Sequence, residues 1–242
     1  MRIDRLLSNL GYGSRKEVER LLRQNKVSLD GALINKGELH VNLTPELRER
    51  ILVESEPLDP LPGLTILLHK PTGFTCSHKE EGDLVYDLFP DRWQKREPPL
   101  STVGRLDKDT SGLLLLSDNG ALVHKITSPK NHVPKRYRAT LARPLNGKEA
   151  EIFASGKLML EGEEKPLLPA ILKLISPTEA EVTISEGRYH QVRRMFAAVG
   201  NHVLTLHREQ IGGLKLPNTL SAGEYLAISE AEVQSIFATA QP

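Results

Sequence analysis

The stretch GRLDKDTSG, residues 104–112, runs directly into four leucines at 113–116 and then into SDNG at 117–120. Four consecutive leucines that end at an Asn-Gly pair are typical of an interior strand followed by a turn. Asp107 therefore stands in a polar, glycine-bounded loop at the start of a buried element. An isolated aspartate in a loop is usually a surface residue, but this position also allows a rigidly held carboxylate to face a cleft.

The overall composition restricts the class of protein. The 242 residues include 32 Lys and Arg against 31 Asp and Glu, a formal net charge of +1, so the distribution of charge must decide whether the chain binds a polyanion. The single cysteine, Cys76, excludes an internal disulfide and a cysteine-based zinc cluster within one chain. No apolar run approaches the roughly 20 residues that span a bilayer, and the N-terminus lacks the apolar core of a signal peptide. We expect a cytoplasmic protein.

The first part of the chain has the pattern of a small unit with a helix and a hairpin. Ser14 and Glu17 have the spacing of a capping box, in which each side chain satisfies a free backbone donor at a helix start. The pair Asp30-Gly31 lies between alternating apolar residues, which is the strongest short-range signal of a β-hairpin. Residues 1–26 carry seven basic and three acidic side chains, which fits either an RNA-binding face or a solvated helix face.

The remaining chain predicts a second, larger domain. Residues 44–63 hold four prolines among acidic residues, which predicts a short strand near 51–53 followed by a tether. Beyond residue 63, strand and helix patterns rarely alternate strictly, which favours an α+β fold over a doubly wound parallel sheet. We expect strands at 64–69, 112–117, 135–143, 170–175, 179–185, 203–208 and 224–228, and helices at 119–127, 147–155, 190–199 and 229–238.

Basic residues are concentrated in two segments of this domain. Six Lys or Arg and no Asp or Glu lie between residues 124 and 143, and five basic residues face two acidic ones between residues 186 and 215. Like charges in one stretch repel each other unless an anion is near. A nearly neutral chain with local basic segments therefore fits an RNA-binding surface.

Further motifs accompany GRLD in a fixed order. They are HKPTG at 69–73, KRY at 135–137, EGRYHQVRRMF at 186–196, and GNHV followed by LHR between 200 and 208. The set resembles the motifs of pseudouridine synthases of the RsuA/RluB/RluE/RluF type, over nearly the whole chain. The resemblance implies an αL (S4-type) RNA-binding module at residues 1–43, a linker at 44–63 and a catalytic domain at 64–242. That domain would be a mostly antiparallel or mixed sheet flanked by helices.

The resemblance also implies an activity. This is the site-specific isomerisation of uridine to pseudouridine in ribosomal RNA, with uridine 516 of 16S RNA as the expected target. Detaching the base, turning it and joining its C5 to the sugar needs no redox step, so we expect neither a cofactor nor a metal. We expect ribosomal RNA as the partner, no membrane and a monomer. Two alternatives stay open: a synthase for large-subunit RNA, and a noncatalytic RNA-binding factor of ribosome assembly.

The resemblance assigns catalytic roles to Asp107, Tyr137 and Arg193. Asp107 would attack the sugar or stabilise positive charge on it while a proton moves during the rearrangement. Arg193 would keep Asp107 ionised, because a cation within a few ångströms favours the charged form of a carboxyl group. Tyr137 would stack on the target base, and its hydroxyl would assist proton movement at C5.

Recognition of the RNA requires a different set of residues. The target base is stacked in RNA, so it must be flipped out at a cost of a few kcal/mol, and Arg105 would then occupy the gap. Asp109 and Asp118 fit the loop and the turn better than they fit a second catalytic carboxylate, and the histidines have no metal-like spacing. Candidate RNA-binding residues are Arg105, Lys135, Arg188, Arg15 and Lys16.

Overall fold

The computed structural model describes residues 1–77 and 81–238. Within these residues the chain divides into two compact units. The first unit comprises residues 1–65, 86–101 and 117–120, and the second comprises 66–77, 81–85, 102–116 and 121–238. The first unit therefore includes two segments that come from far beyond the N-terminal region.

The N-terminal unit combines short helices with an antiparallel sheet. Its elements are α1 (Ile3–Asn9), α2 (Arg15–Arg23), β1 (Val27–Leu29), β2 (Ala32–Leu33), α3 (Leu47–Arg50), β3 (Ile51–Val53) and β4 (Glu56–Pro57), with the strand order β2-β1-β3-β4. The predicted capping box is present, because Ser14 N–H donates to the Glu17 carboxylate at 2.7 Å and Glu17 N–H donates to Ser14 Oγ at 3.4 Å. The predicted hairpin is confirmed, with Asp30 and Gly31 both at positive φ between β1 and β2.

Residues 44–63 differ from the expected tether. The predicted strand near 51–53 is confirmed as β3, but β3 pairs with β1 and β4, so the segment is part of the sheet. Ile51, Val53 and Leu58 are buried in the same core cluster as the apolar side chains of α1 and α2. The residues that suggested a linker include Glu56 and Pro57, which are exposed on β4. The content of proline and acidic residues in this segment therefore did not indicate that its strands pair within the sheet.

The second unit is an α+β domain around a mixed sheet. Its elements are β5 (Thr65–Lys70), β6 (Ser101–Thr102), β7 (Thr110–Ser117), α4 (Gly120–Thr127), β8 (Lys135–Leu141), α5 (Glu149–Ala154), β9 (Ile171–Ser176), β10 (Glu179–Ile184), α6 (Gln191–Ala198), β11 (Val203–Ile211), β12 (Leu214–Lys215), β13 (Tyr225–Ala227) and α7 (Glu230–Ser235). The main strand order is β13-β5-β7-β11-β8-β10-β9. β11 pairs parallel with β7 and antiparallel with β8. The α+β prediction is confirmed, and the predicted bounds of each helix and strand lie within three residues of the observed bounds.

The four leucines after the GRLDKDTSG stretch lie in β7 and are fully buried. Neighbouring side chains of a strand point to opposite faces, so both faces of β7 are covered. Gly112, at the start of this strand, has φ +110°, and a Cβ added there would lie 2.3 Å from the carbonyl oxygen of Arg208 on β11. Only glycine fits where these two strands come so close.

Candidate active site

A buried lysine anchors the loop that carries Asp107. Lys70, at the end of β5, is fully buried, and its Nζ donates hydrogen bonds to the carbonyl oxygens of Asp107 (3.0 Å), Thr110 (2.8 Å) and Pro71 (3.0 Å). Burial lowers the pKa of Lys70, whereas the neighbouring Cys76 and Asp107 oppose that shift. Because a buried ammonium must keep its acceptors, Lys70 fixes the backbone of the loop.

Backbone contacts complete this loop. Thr110 N–H donates to the carbonyl oxygen of Asp107 at 3.0 Å, and Leu106 N–H donates to Cys76 Sγ at 3.5 Å. The Asp107 side chain is 30% exposed, so it is neither sealed in the core nor extended into bulk solvent. The loop predicted from the sequence therefore presents a half-buried carboxylate on a fixed backbone.

A pocket of about 450 Å³ lies beside the loop. Its lining includes Arg105, Asp107, Lys135, Tyr137, His190 and Arg208. Asp107 and Tyr137, two of the three predicted catalytic residues, are therefore brought together. The volume is within the range of pockets that hold small ligands, and it provides room for a nucleotide taken out of a stack.

Arg193 lies in a different place from the one expected. Its Nη2 is 3.0 Å from Asp109 Oδ2, and its guanidinium also donates to the carbonyl oxygens of Asp109 (3.2 Å) and Val203 (3.1 Å). Arg193 thus supports the loop at Asp109, two residues beyond Asp107, and does not form the expected ion pair with Asp107. Within residues 1–77 and 81–238, the side chain that forms an ion-pair contact with the Asp107 carboxylate is His190, with Nε2 3.3 Å from Oδ1.

Arg208 is a pocket residue to which sequence reasoning gave no role. It is 3% exposed, and its Nε donates to the carbonyl oxygen of Leu113 at 2.8 Å. Its Nη1 lies 3.4 Å from the hydroxyl of Tyr137, which is itself buried on β8. Arg208 and Leu206 alternate with His207 along β11, and both line the pocket. This period-2 pattern was the signal that could have identified Arg208.

Lys135 and Tyr137 share the pocket face of β8, as the alternation of this strand predicts. Burial, with a further contribution from the charge of Arg208, lowers the pKa of Lys135 to about 8. An amine with such a pKa is partly neutral near neutral pH, so it can take up or release a proton. The pocket thus combines a carboxylate, a phenol, a guanidinium and a perturbed amine.

The structure places the other candidate RNA-binding residues in three settings. Arg105 is exposed at the edge of the pocket, and Arg15 and Lys16 are exposed in the first turn of α2 in the N-terminal unit. The guanidinium of Arg188 donates to Glu186, to Glu163 and to the carbonyl oxygens of residues 165 and 166. Protein acceptors therefore already engage the donors that were expected to hold phosphate.

The basic stretch between residues 124 and 143 is also partly neutralised by the protein. Arg138 forms ion pairs with Glu209 at 2.6 Å and Glu179 at 3.3 Å, and Arg136 lies 3.5 Å from Glu209. These acids are remote in sequence but lie on the neighbouring strands β10 and β11. Across residues 1–77 and 81–238, no helix is long and apolar enough to cross a membrane, and no cluster of three or more His, Cys, Asp or Glu is arranged to hold a metal.

Comparisons with known proteins show which family the chain belongs to. The family described as RNA pseudouridylate synthase matches residues 64–198, and the S4 domain matches residues 1–43. "Ribosomal small subunit pseudouridine synthase A" of Escherichia coli (strain K12) is 40% identical over 240 residues, covering 98% of this chain and 100% of that protein. The protein of the same name from Yersinia pestis is 41% identical, with 98% of each chain covered.

A solved structure described as a pseudouridylate synthase also matches, with a TM-score of 0.68, 36% identity and coverage of 98% of this chain and 99% of the other. The family model and the relatives define an enzyme that modifies RNA, and the chain belongs to the RNA pseudouridylate synthase family. Within that family it is of the RsuA type, with an S4 domain ahead of the synthase domain.

Proposed function

We propose that this enzyme converts one uridine of small-subunit ribosomal RNA to pseudouridine, with uridine 516 of 16S RNA as the target. The relatives named for that subunit are about 40% identical over their full length, which supports the choice of substrate. The division into an RNA-binding module at 1–43 and a catalytic domain at 64–242 is part of the same proposal, with residues 44–63 extending the sheet of the N-terminal unit. The observation that carries the chemistry is the Asp107 carboxylate, held in a pocket by a loop that Lys70 anchors.

The reaction balances without an external reagent. The bond between C1′ and N1 breaks, the uracil turns, and a new bond joins C1′ to C5. The proton at C5 is then removed, and N1 gains one. The Asp107 carboxylate either attacks covalently or stabilises positive charge on the sugar while it helps to move a proton, and both routes stay open.

The remaining pocket residues fit the other steps. The flipped uracil would pack against Tyr137, whose hydroxyl is oriented by the Arg208 guanidinium 3.4 Å away. Lys135 stands on the same face of β8 and supplies an amine that can exchange a proton. Arg105, exposed at the edge of the pocket, would occupy the space that the flipped nucleotide leaves in the RNA stack.

Asp107→Asn tests the chemistry, because it keeps the shape of the side chain and removes its charge. We expect product formation in a single-turnover assay on a 16S fragment to fall below detection, while the Kd for RNA changes less than about threefold. Asp109→Asn is the matched control in the same loop and should retain activity within about tenfold. Retained pseudouridine formation by Asp107→Asn would remove the catalytic assignment.

The target is tested separately, in cells. Pseudouridines of ribosomal RNA would be mapped in a strain with the gene and in one that lacks it. We expect one small-subunit position to lose its modification, and a plasmid copy of the wild type but not of Asp107→Asn to restore it. Loss of a large-subunit modification would favour the alternative substrate, and no loss at any position would favour a noncatalytic assembly factor.

A further inference from the structure

His190 makes a direct side-chain contact with the Asp107 carboxylate. The distance between His190 Nε2 and Asp107 Oδ1 is 3.3 Å, and the two side chains are 38% and 30% exposed. Both residues line the pocket. A contact through Oδ1 leaves the other carboxylate oxygen, Oδ2, available for a substrate atom.

The backbone at His190 has an unusual conformation. Its φ is +48° and its ψ is 33°, in the left-handed region that residues other than glycine rarely adopt. Such a conformation is strained and persists only where the surroundings enforce it. Here the buried Gln191 enforces it, because its amide accepts from Arg188 N–H at 2.9 Å and donates to Glu186 at 3.0 Å. The turn therefore directs the imidazole toward Asp107.

A second aromatic ring fixes the plane of the imidazole. The rings of Tyr189 and His190 are stacked, with their centroids 3.8 Å apart and an interplanar angle of 18°. Tyr189 is 69% exposed, so burial in a core does not explain this pairing. The imidazole is held between the Tyr189 ring and the Asp107 carboxylate.

We infer that His190 is a positioning residue for Asp107: its Nε2–H donates to Oδ1 and aims Oδ2 at C1′ of the flipped nucleotide, while Tyr189 keeps the imidazole in the required plane. This inference rests on the proposed function, because it assigns Asp107 to the reacting sugar. His190 contacts the Asp107 carboxylate directly, and Arg193 supports the same loop through Asp109.

The choice of substitution at residue 190 separates this role from simple packing. The amide nitrogen of glutamine reaches about as far as Nε2, whereas that of asparagine reaches only as far as Nδ1. We expect His190→Gln to keep the single-turnover rate within about tenfold of the wild type. His190→Asn and His190→Ala should each lower it about 100-fold, with the Kd for RNA unchanged within about twofold. Tyr189→Ala, which removes the stacked ring, should lower the rate about tenfold, and Tyr189→Phe, which keeps the ring, should lower it less.

A measurement without substrate checks the contact itself. ¹⁵N spectra of the imidazole in wild-type protein should identify the Nε2–H tautomer of His190, and Asp107→Asn should change those resonances. Equal losses in the Gln, Asn and Ala variants, or rates near the wild type in all three, would overturn the inference. If the wild type itself forms no pseudouridine but the ¹⁵N result holds, the proposed function fails and the contact between His190 and Asp107 stands.

Discussion

Strand β8 presents Lys135 and Tyr137 to the pocket and turns Arg136 and Arg138 toward the opposite face of the sheet. On the second face, the two arginines pair with glutamates of β10 and β11, at a side-chain exposure of 32% and 41%. On the first face, Lys135 lies near the Arg208 guanidinium, and burial holds the pKa of its ammonium to about 8. The same short segment thus contains cations in two opposite electrostatic environments.

This difference between the two faces of β8 shows how a basic stretch of sequence should be interpreted. The lack of Asp and Glu between residues 124 and 143 suggested that an external anion was needed. Glu179, Glu181 and Glu209 supply that anion from neighbouring strands, so the arginines are largely satisfied within the protein. The cation of β8 that faces the pocket, Lys135, is more buried than the paired arginines on the opposite face. Because water screens its charge less, it should have a larger effect on stability.

The largest effect should follow removal of the buried lysine that holds the Asp107 loop. Lys70→Met leaves the carbonyl oxygens of Asp107 and Thr110 without their charged donor, and it should lower the free energy of unfolding by about 3 kcal/mol. Activity, measured under conditions in which the variant is folded, should fall at least 100-fold. Urea unfolding and single-turnover assays measure the two effects. Lys108→Met, an exposed lysine of the same loop, is the control, and equal stability of both variants would contradict the anchoring role.

A second test concerns the close approach of β7 and β11, which positions Arg208 in the pocket. Gly112→Ala places a Cβ 2.3 Å from a backbone oxygen that cannot move independently, so we expect a loss of about 3 kcal/mol in the free energy of unfolding. Gly104→Ala is the matched control. Its φ is +72°, but no atom lies within 4 Å of the added Cβ, so the loss should be about 1 kcal/mol. Equal losses would show that backbone conformation alone, and not strand spacing, requires Gly112.

A pH titration should separate the two faces of β8. The pKa of Lys135 is about 8 in the folded chain, below its ordinary value of 10.5, so the unfolded chain binds more protons between these values. Wild-type stability should therefore gain a contribution as pH rises from 8 to 10.5. Lys135→Met should be more stable than the wild type below pH 8, by about 2 kcal/mol after allowance for partial exposure, and should lack this rise.

The control for that titration is Lys215→Met, an exposed lysine on β12. It should leave the pH dependence of unfolding unchanged. Stability curves of the wild type and Lys135→Met that run parallel between pH 8 and 10.5 would show that the amine is solvated and that the two faces do not differ in this respect.

Local patterns predicted much of this protein, and long-range pairing accounts for what they missed. The leucine run, the alternation in KRYRATL and the Asp-Gly hairpin each depend on neighbours in sequence, and all were observed. The ordered motifs identified both Asp107 and Tyr137, and both residues line one pocket in the structure. Segment 44–63 was misjudged because the pairing of β3 with β1 is not visible in composition.

The features of the site that the sequence did not indicate have the same cause. Arg208 stands opposite Gly112 only because β11 runs parallel to β7 in one particular register. His190, and not Arg193, contacts Asp107 because the residue before α6 adopts a left-handed conformation. Helical periodicity treats every residue of the HQVRR segment as if it belonged to the helix, so it could not indicate this turn.

The smallest effect should come from the paired arginines, and it tests the comparison most directly. The double variant Arg136→Gln/Arg138→Gln should lower the free energy of unfolding by less than about 1 kcal/mol per ion pair. It should also leave the salt dependence of RNA binding unchanged, because glutamates already neutralise these guanidinium groups. Fluorescence anisotropy over a series of salt concentrations measures the slope of log Kd against log salt. Arg15→Gln/Lys16→Gln, which alters exposed cations of α2, should reduce that slope by about 1.5 if both contact phosphate. An equal reduction in both double variants would mean that the ion pairs of β8 open when RNA binds, and the two faces of the strand would then share one function.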